Sequence, residues 1–304
     1  MAGAICESGA AIASLPPRPL AEAEQNGVKF AAAAGADSLA VLRAMSAQQL
    51  QEAAAKAQGI RFSTAMDGYF LSKTLTEIGM AGEQAKVPLL AGTNTEEMSP
   101  RAVLAGGEPT PETLAEAIKK FYGDKAGPVL KAYAAATTEE VFEAAMHLAS
   151  ARFISYGTWK WTELHMQTSG KPVYRYLYAR VRPAYLGMPG QPPPTPPAPA
   201  QGATPQPPAP RGAVHSAEIQ YAMGNLDLDK RYAWEPADYD VSKTMQAYFV
   251  NFIKTGKPDG PGLPPWPAYR PETGYQRMRI DVRSQAEPEP HRDRYLALDA
   301  VIGR

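Results

Sequence analysis

Cysteine is almost absent: Cys6 stands alone in 304 residues. One thiol rules out an intrachain disulfide and a structural zinc site built on several cysteines. Histidine is scarce as well. The four are His147, His165, His215 and His291, and no two share the H-E-x-x-H spacing of a zinc hydrolase. Neither sign of charge is in excess, since Lys+Arg and Asp+Glu both number 31. The balance implies no strongly basic surface, although it leaves room for local patches, so nucleic acid is not expected as a partner. No apolar run approaches the ~20 residues of a membrane span. The N-terminal stretch has no basic segment ahead of its apolar residues, so it does not read as a signal peptide. It reads as the middle of a buried strand, and the expectation is that part of a longer chain precedes it.

The residues that are present suffice for one large globular domain or two small ones, with 44% hydrophobic and 20% charged. Gly3 to Ile12 is small and apolar, as in a buried strand and its following loop. Leu20 to Ala34 is rich in Ala and Glu and predicts a helix. Asp37 is the expected N-cap of a second helix and Ser46 of a third, running through Ala57. Asp67-Gly68 signals a turn. Val87 to Gly92 is a short apolar run ending in glycine, which fits a parallel strand buried on both faces. Helices are predicted from Thr110 to Tyr122, from Gly127 to Ala136, and from Thr137 or Thr138 to about Met166. That last one carries both His147 and His165. Val173 to Tyr178 alternates β-branched and aromatic residues, a strand signal. Val241 to Thr255 aligns Met245, Tyr248, Phe249 and Phe252 on one helical face. A strand over Arg277 to Asp281 and a helix over His291 to Ile302 complete the order. Strands alternating with helices predict an α/β fold with a mostly parallel sheet and flanking helices. Between Pro189 and Pro210 lies a proline-dense tract with no large apolar anchor, expected as a surface insertion in polyproline II or irregular form.

Three strings could carry chemistry. Gly92-Thr93-Asn94-Thr95-Glu96-Glu97 follows the apolar strand, and open α/β sheets place their active sites at the carboxyl ends of such strands. Alone it reads rather as a solvated acidic loop. Gly212-Ala213-Val214-His215-Ser216-Ala217-Glu218 places a histidine just before a helix. A histidine serves as a general base near neutral pH when a carboxylate holds its other ring nitrogen; alone this is an ordinary surface histidine. Cys6-Glu7-Ser8-Gly9-Ala10 superficially suggests a nucleophilic serine. The sharp strand-to-helix turn that exposes such a serine requires G-x-S-x-G, and Cys6 and Ala10 occupy both glycine positions. Ser8 is therefore a poor nucleophile, and Cys6 reads as a small buried residue. No G-x-S-x-G occurs anywhere in the chain. The order acid then histidine, Glu97 then His215, is nevertheless the order of a Ser-acid-His triad whose serine comes first.

Together these strings resemble the type-B carboxylesterases, which include bacterial para-nitrobenzyl-type esterases and the cholinesterases. Ala4-Ile5-Cys6-Glu7-Ser8-Gly9 resembles the family's AI-x-[EQ]-S-G strand, and Met66-Asp67-Gly68 its V-D-G turn. Val87 to Asn94 with Glu96-Glu97 resembles VPLLIGTN-x-DEG, with Met98 in place of the last glycine. Gly212 to Ile219 resembles GA-x-H-[GS]-x-E-[IL]. Phe252 to Pro258 and Trp266 to Tyr269 resemble the F-x-x-x-G-x-P and WP-x-Y ending. The resemblance implies the C-terminal part of an α/β-hydrolase fold spanning 1–304, with the proline tract at 189–210 as an insertion. It implies Glu97 as triad acid, His215 as triad base and Ser8 as a supporting hydrogen-bond donor near the acid. It also implies that the serine nucleophile and the glycine-rich oxyanion loop lie outside this chain. The expected activity is serine-dependent hydrolysis of a small carboxylic ester in the intact enzyme, with no cofactor and no metal, and with little activity from these residues alone. The alternative is a non-catalytic, esterase-like protein-binding module, since some family members are adhesion proteins. Phe153, Tyr156 and Trp159 are candidate pocket aromatics, with a core role the competing reading.

Overall fold

The computed structural model describes residues 2–9, 12, 16–188 and 211–303; the proline tract at 189–210 lies outside them. In chain order the strands are β1 Ala4–Glu7, β2 Arg18–Pro19, β3 Ala65–Met66, β4 Leu89–Asn94, β5 Val173–Tyr178, β6 Gln276–Ile280 and β7 Gln285–Pro288. The chain divides into two compact units, Leu15–Ile78 and the remainder.

The larger unit is built on a five-stranded sheet in the order β1-β4-β5-β6-β7. The first four strands are parallel and β7 returns antiparallel to β6. Every residue of β4 is buried, as expected of a parallel strand covered on both faces. Successive side chains of a strand point to opposite faces, and the packing follows that rule. Leu89, Ala91 and Val173 pack with Trp161 and Met166 of the helix Tyr156–Thr168. Leu90, Tyr174, Tyr176 and Met278 pack on the opposite face with Met245, Tyr248, Phe249 and Phe252. Those four line one face of the helix Pro236–Thr255. The layers are thus helix, sheet, helix. Because four strands run parallel, the carboxyl ends of β1, β4 and β5 open on one edge of the sheet.

Several boundaries differ from the sequence expectations. The helix Pro236–Thr255 begins five residues before Val241, because Pro236 sits at its first turn and Glu235 and Asp238 form a reciprocal cap. The helix after Gly127 ends at Ala132. The long helical segment from Thr138, capped by Thr137, is α-helical to Ser150, π-helical over Ala151–Ser155 and α-helical again to Thr168. No helix among the described residues is long and apolar enough to cross a membrane.

The smaller unit holds the helices Leu20–Ala33, Leu39–Ala44 and Ala47–Lys56 with the parallel pair β2 and β3. Ser38, not Asp37, caps the second helix: its hydroxyl accepts from Val41 N–H. Ser46 caps the third in a reciprocal box with Gln49. At Asp67-Gly68 the Asp67 carboxylate gathers the N–H groups of Tyr69, Phe70 and Leu71.

Candidate active site

The acid and the histidine are carried by two segments that the backbone ties together. β4 ends at Asn94, and the next residues run alongside the segment that bears His215. Glu96 forms a parallel bridge with Val214, and Glu96 N–H donates to the Ala213 carbonyl at 2.8 Å. In return Ala213 N–H donates to Thr95 Oγ1 at 2.7 Å, and Arg211 N–H to Glu96 Oε1 at 2.8 Å. Gly212 is required by this closeness, since a Cβ there would lie 2.2 Å from Thr95 Oγ1. His215 then projects toward the sheet edge, followed by Ser216 in the left-handed region at φ 64°.

Glu97 and His215 meet. His215 Nδ1 and Glu97 Oε2 lie 2.5 Å apart. The Glu97 side chain is wholly buried, whereas 41% of the His215 side chain remains exposed. A buried carboxylate is tolerated only when donors replace its water. Three do so here. The Ser8 hydroxyl donates to Oε1 at 2.5 Å, Asn94 N–H donates to the same oxygen at 2.6 Å, and His215 faces the other oxygen. Ser8 reaches it from the end of β1 with its backbone at φ 52°. A carboxylate so placed favours the tautomer that puts the proton on Nδ1 and leaves Nε2 unprotonated. The Phe153 ring stands edge-on to the imidazole, centroids 5.0 Å apart. Of the other two candidate aromatics, Tyr156 and Trp159 are buried in the helical core. The three sequence candidates Ser8, Glu97 and His215 thus form one contiguous group.

Sequence reasoning overlooked the layer beneath. The Asn94 side-chain amide donates to the Val214 carbonyl at 2.8 Å and also to the Glu218 carboxyl. One residue therefore holds Glu97 through its backbone and the histidine segment through its side chain. The Glu218 pKa is raised by burial and then by the nearby Glu97. Glu7 is pushed up to about 7 by partial burial and by Glu218. Burial raises the Cys6 thiol to about 11, and its sulfur accepts Gly9 N–H at 3.1 Å. A thiol so protonated is a poor nucleophile.

A sequence profile described as the carboxylesterase family matches residues 1–296. The chain belongs to the carboxylesterase family. Among curated relatives, Carboxylesterase 3 of Pongo abelii is 23% identical over 296 residues, covering 85% of this chain and 46% of its own length. Liver carboxylesterase 1 of Oryctolagus cuniculus is 25% identical over 240 residues, 74% of this chain and 38% of its own. Among solved structures, the Geobacillus stearothermophilus carboxylesterase EST55 superposes with a TM-score of 0.71 at 19% identity, covering 98% of this chain and 58% of that one. A PNB esterase superposes at 0.67 with 20% identity, over 97% and 57%. The fold is therefore the α/β-hydrolase-like fold of the carboxylesterases. The chain spans less than half the length of these two curated carboxylesterases and under three fifths of these two solved ones.

Proposed function

We propose that this chain supplies the acid and the base of a serine carboxylic-ester hydrolase, within one α/β-hydrolase domain whose nucleophile elbow and oxyanion loop lie on polypeptide outside these 304 residues. Glu97 orients His215 and stabilises the imidazolium. His215 Nε2 takes the proton of the attacking serine and later returns it to the leaving alcohol. Ser8 is the donor that keeps Glu97 aligned. The substrate class is a small carboxylic ester, and Phe153 borders the place where it meets the histidine.

The observation that carries this reading is the Glu97 carboxylate, fully buried, held by three donors and aimed at a histidine whose far side is open. A protein-binding module has no use for such an arrangement, because burying a carboxylate costs several kcal/mol unless every donor is in place. The serine must come from elsewhere because no G-x-S-x-G occurs in the chain. Triad members act as a unit, and loss of the serine leaves only the roughly 10³–10⁴-fold catalysis that an oxyanion hole and binding provide.

The test is p-nitrophenyl acetate hydrolysis by the 304-residue chain and by the same chain joined to the polypeptide its gene encodes upstream. The chain alone is expected to be inactive. The extended protein is expected to contain G-x-S-x-G and to turn over in a manner that depends on His215. An extension without that motif, or turnover indifferent to His215→Ala, would overturn the proposal.

A further inference from the structure

Behind the segment that carries Glu97 lies a second polar cleft, which the proposed hydrolysis does not use. Its volume is about 330 Å³, at the lower end of small-ligand pockets. One wall is Thr93–Thr95 and the floor includes β6. Strand alternation puts Arg277 and Arg279, two residues apart, on the same face of β6, and both line the cleft. Arg294, in the first turn of the helix Arg292–Ile302, lines it from the side. His147 and His291 complete that wall with their rings 5.1 Å apart, edge to face.

The pairing of the arginines leaves one cation available to an anion. Arg277 is bonded to Glu287 at 2.9 Å and lies 3.7 Å from the buried Glu289, and Arg279 reaches Asp281 at 3.3 Å. Arg294 is different. Among the described residues no carboxylate lies within ion-pair distance of it; its Nε donates to the Ala132 carbonyl at 3.3 Å and its guanidinium stacks over Tyr133. Two carboxylates border the cleft, Glu287, already committed to Arg277, and the solvent-exposed Glu143. Two of the three guanidinium groups are therefore matched by acids, and among the described residues Arg294 alone of the three has none within ion-pair distance. Both imidazoles are held below their usual range, by burial first and then by the charges of Arg294 and Arg277, with Asp293 and Glu289 opposing at His291. Neutral imidazoles can still donate an N–H each, and guanidinium forks match the two oxygens of a carboxylate or phosphate.

We propose that this cleft binds a small oxyanion ligand, one bearing a carboxylate or phosphate group, with Arg294 as anchor and Arg279 as second contact. The site stands apart from the esterase reading and does not depend on it.

The test is isothermal titration calorimetry of the full 304-residue chain with sodium phosphate and, separately, sodium acetate and sodium citrate. Sodium chloride holds the ionic strength constant. Saturable one-to-one binding of at least one probe is expected. Tighter phosphate assigns a phosphate-bearing ligand, and tighter acetate or citrate an organic acid. Arg294→Gln should weaken that binding tenfold or more and Arg279→Gln several-fold. Lys243→Gln, which removes a cation outside the cleft, should leave it unchanged. Circular dichroism checks that each variant is folded, and Arg294→Lys, which keeps the charge but loses the fork, should fall between wild type and Arg294→Gln. Absence of saturable binding by all three probes, or an Arg294→Gln chain that binds as wild type does, overturns the proposal without touching the proposed hydrolysis.

Discussion

Two histidines border the same segment, Thr93 to Glu97, and meet opposite surroundings. His215 faces a buried carboxylate and keeps its other edge open to solvent. His147 faces Tyr133, His291 and the arginines of the rear cleft, and among the described residues no acid is bonded to its ring. Residue type is identical, so the difference in available chemistry is entirely environmental. A carboxylate at one ring nitrogen makes the other a base; burial, reinforced by cationic neighbours, holds a ring neutral and makes it a donor.

The largest expected effect separates the two directly. In any form of the protein that hydrolyses p-nitrophenyl acetate, His215→Ala should lower kcat/KM by about 10⁴-fold or more, and Glu97→Gln by about 10⁴-fold. A loss below tenfold for either would erase the distinction. Next is Asn94→Ala, which strips the donor from the Val214 carbonyl and from the Glu218 carboxyl together. Urea denaturation should show a loss of about 3 kcal/mol. Ser8→Ala removes one of three donors to the buried acid and should cost about 2 kcal/mol in the same measurement. The other histidine is probed by its ring-proton resonances. The His147 signals should stay flat on acidification through the usual histidine range, and Arg294→Gln should move their midpoint upward, because a positive neighbour that disfavours protonation has gone.

The smallest effect concerns pH. Glu7 rises from an ordinary 4.5 to about 7 in the folded chain. Between those values the folded state keeps a proton that the unfolded chain releases. Its contribution to stability is therefore complete below pH 4.5 and lost as pH rises through about 7. Glu7 is partly open to solvent, so the effect is at most about 1 kcal/mol. Tm measured from pH 4.5 to 8 should decline less for Glu7→Gln than for wild type.

Legibility in the sequence followed the range of the signal. Val173 to Tyr178 could be read as a strand because alternation is local, and the structure places β5 at those residues. The apolar run at Val87 located β4, and Thr137 the start of the long helix. β7 went unread because Gln285–Pro288 is polar, ends in proline and pairs only at the sheet edge. The π-helical turn at Ala151–Ser155 had no compositional mark either. It precedes Tyr156 and Trp159, which enter the core, and contains Phe153, which reaches His215. The grouping of Ser8, Glu97 and His215 was available only through family resemblance. Asn94 could have been suspected from its place at the end of β4, but its reach to Glu218, 124 residues away, has no local signal. The pairing of His147 with His291 is equally a product of tertiary packing.

The tether between residues 94–96 and 211–214 also bears on how this protein tolerates insertions. Four hydrogen bonds moor the histidine segment immediately after the proline-dense stretch and before His215 itself. For a flexible connection, closure entropy grows slowly with length, about 0.6 kcal/mol per doubling. The imidazole is positioned downstream of the anchor and is insulated from such changes. The distance from acid to base is set by these four bonds, which begin only at Arg211.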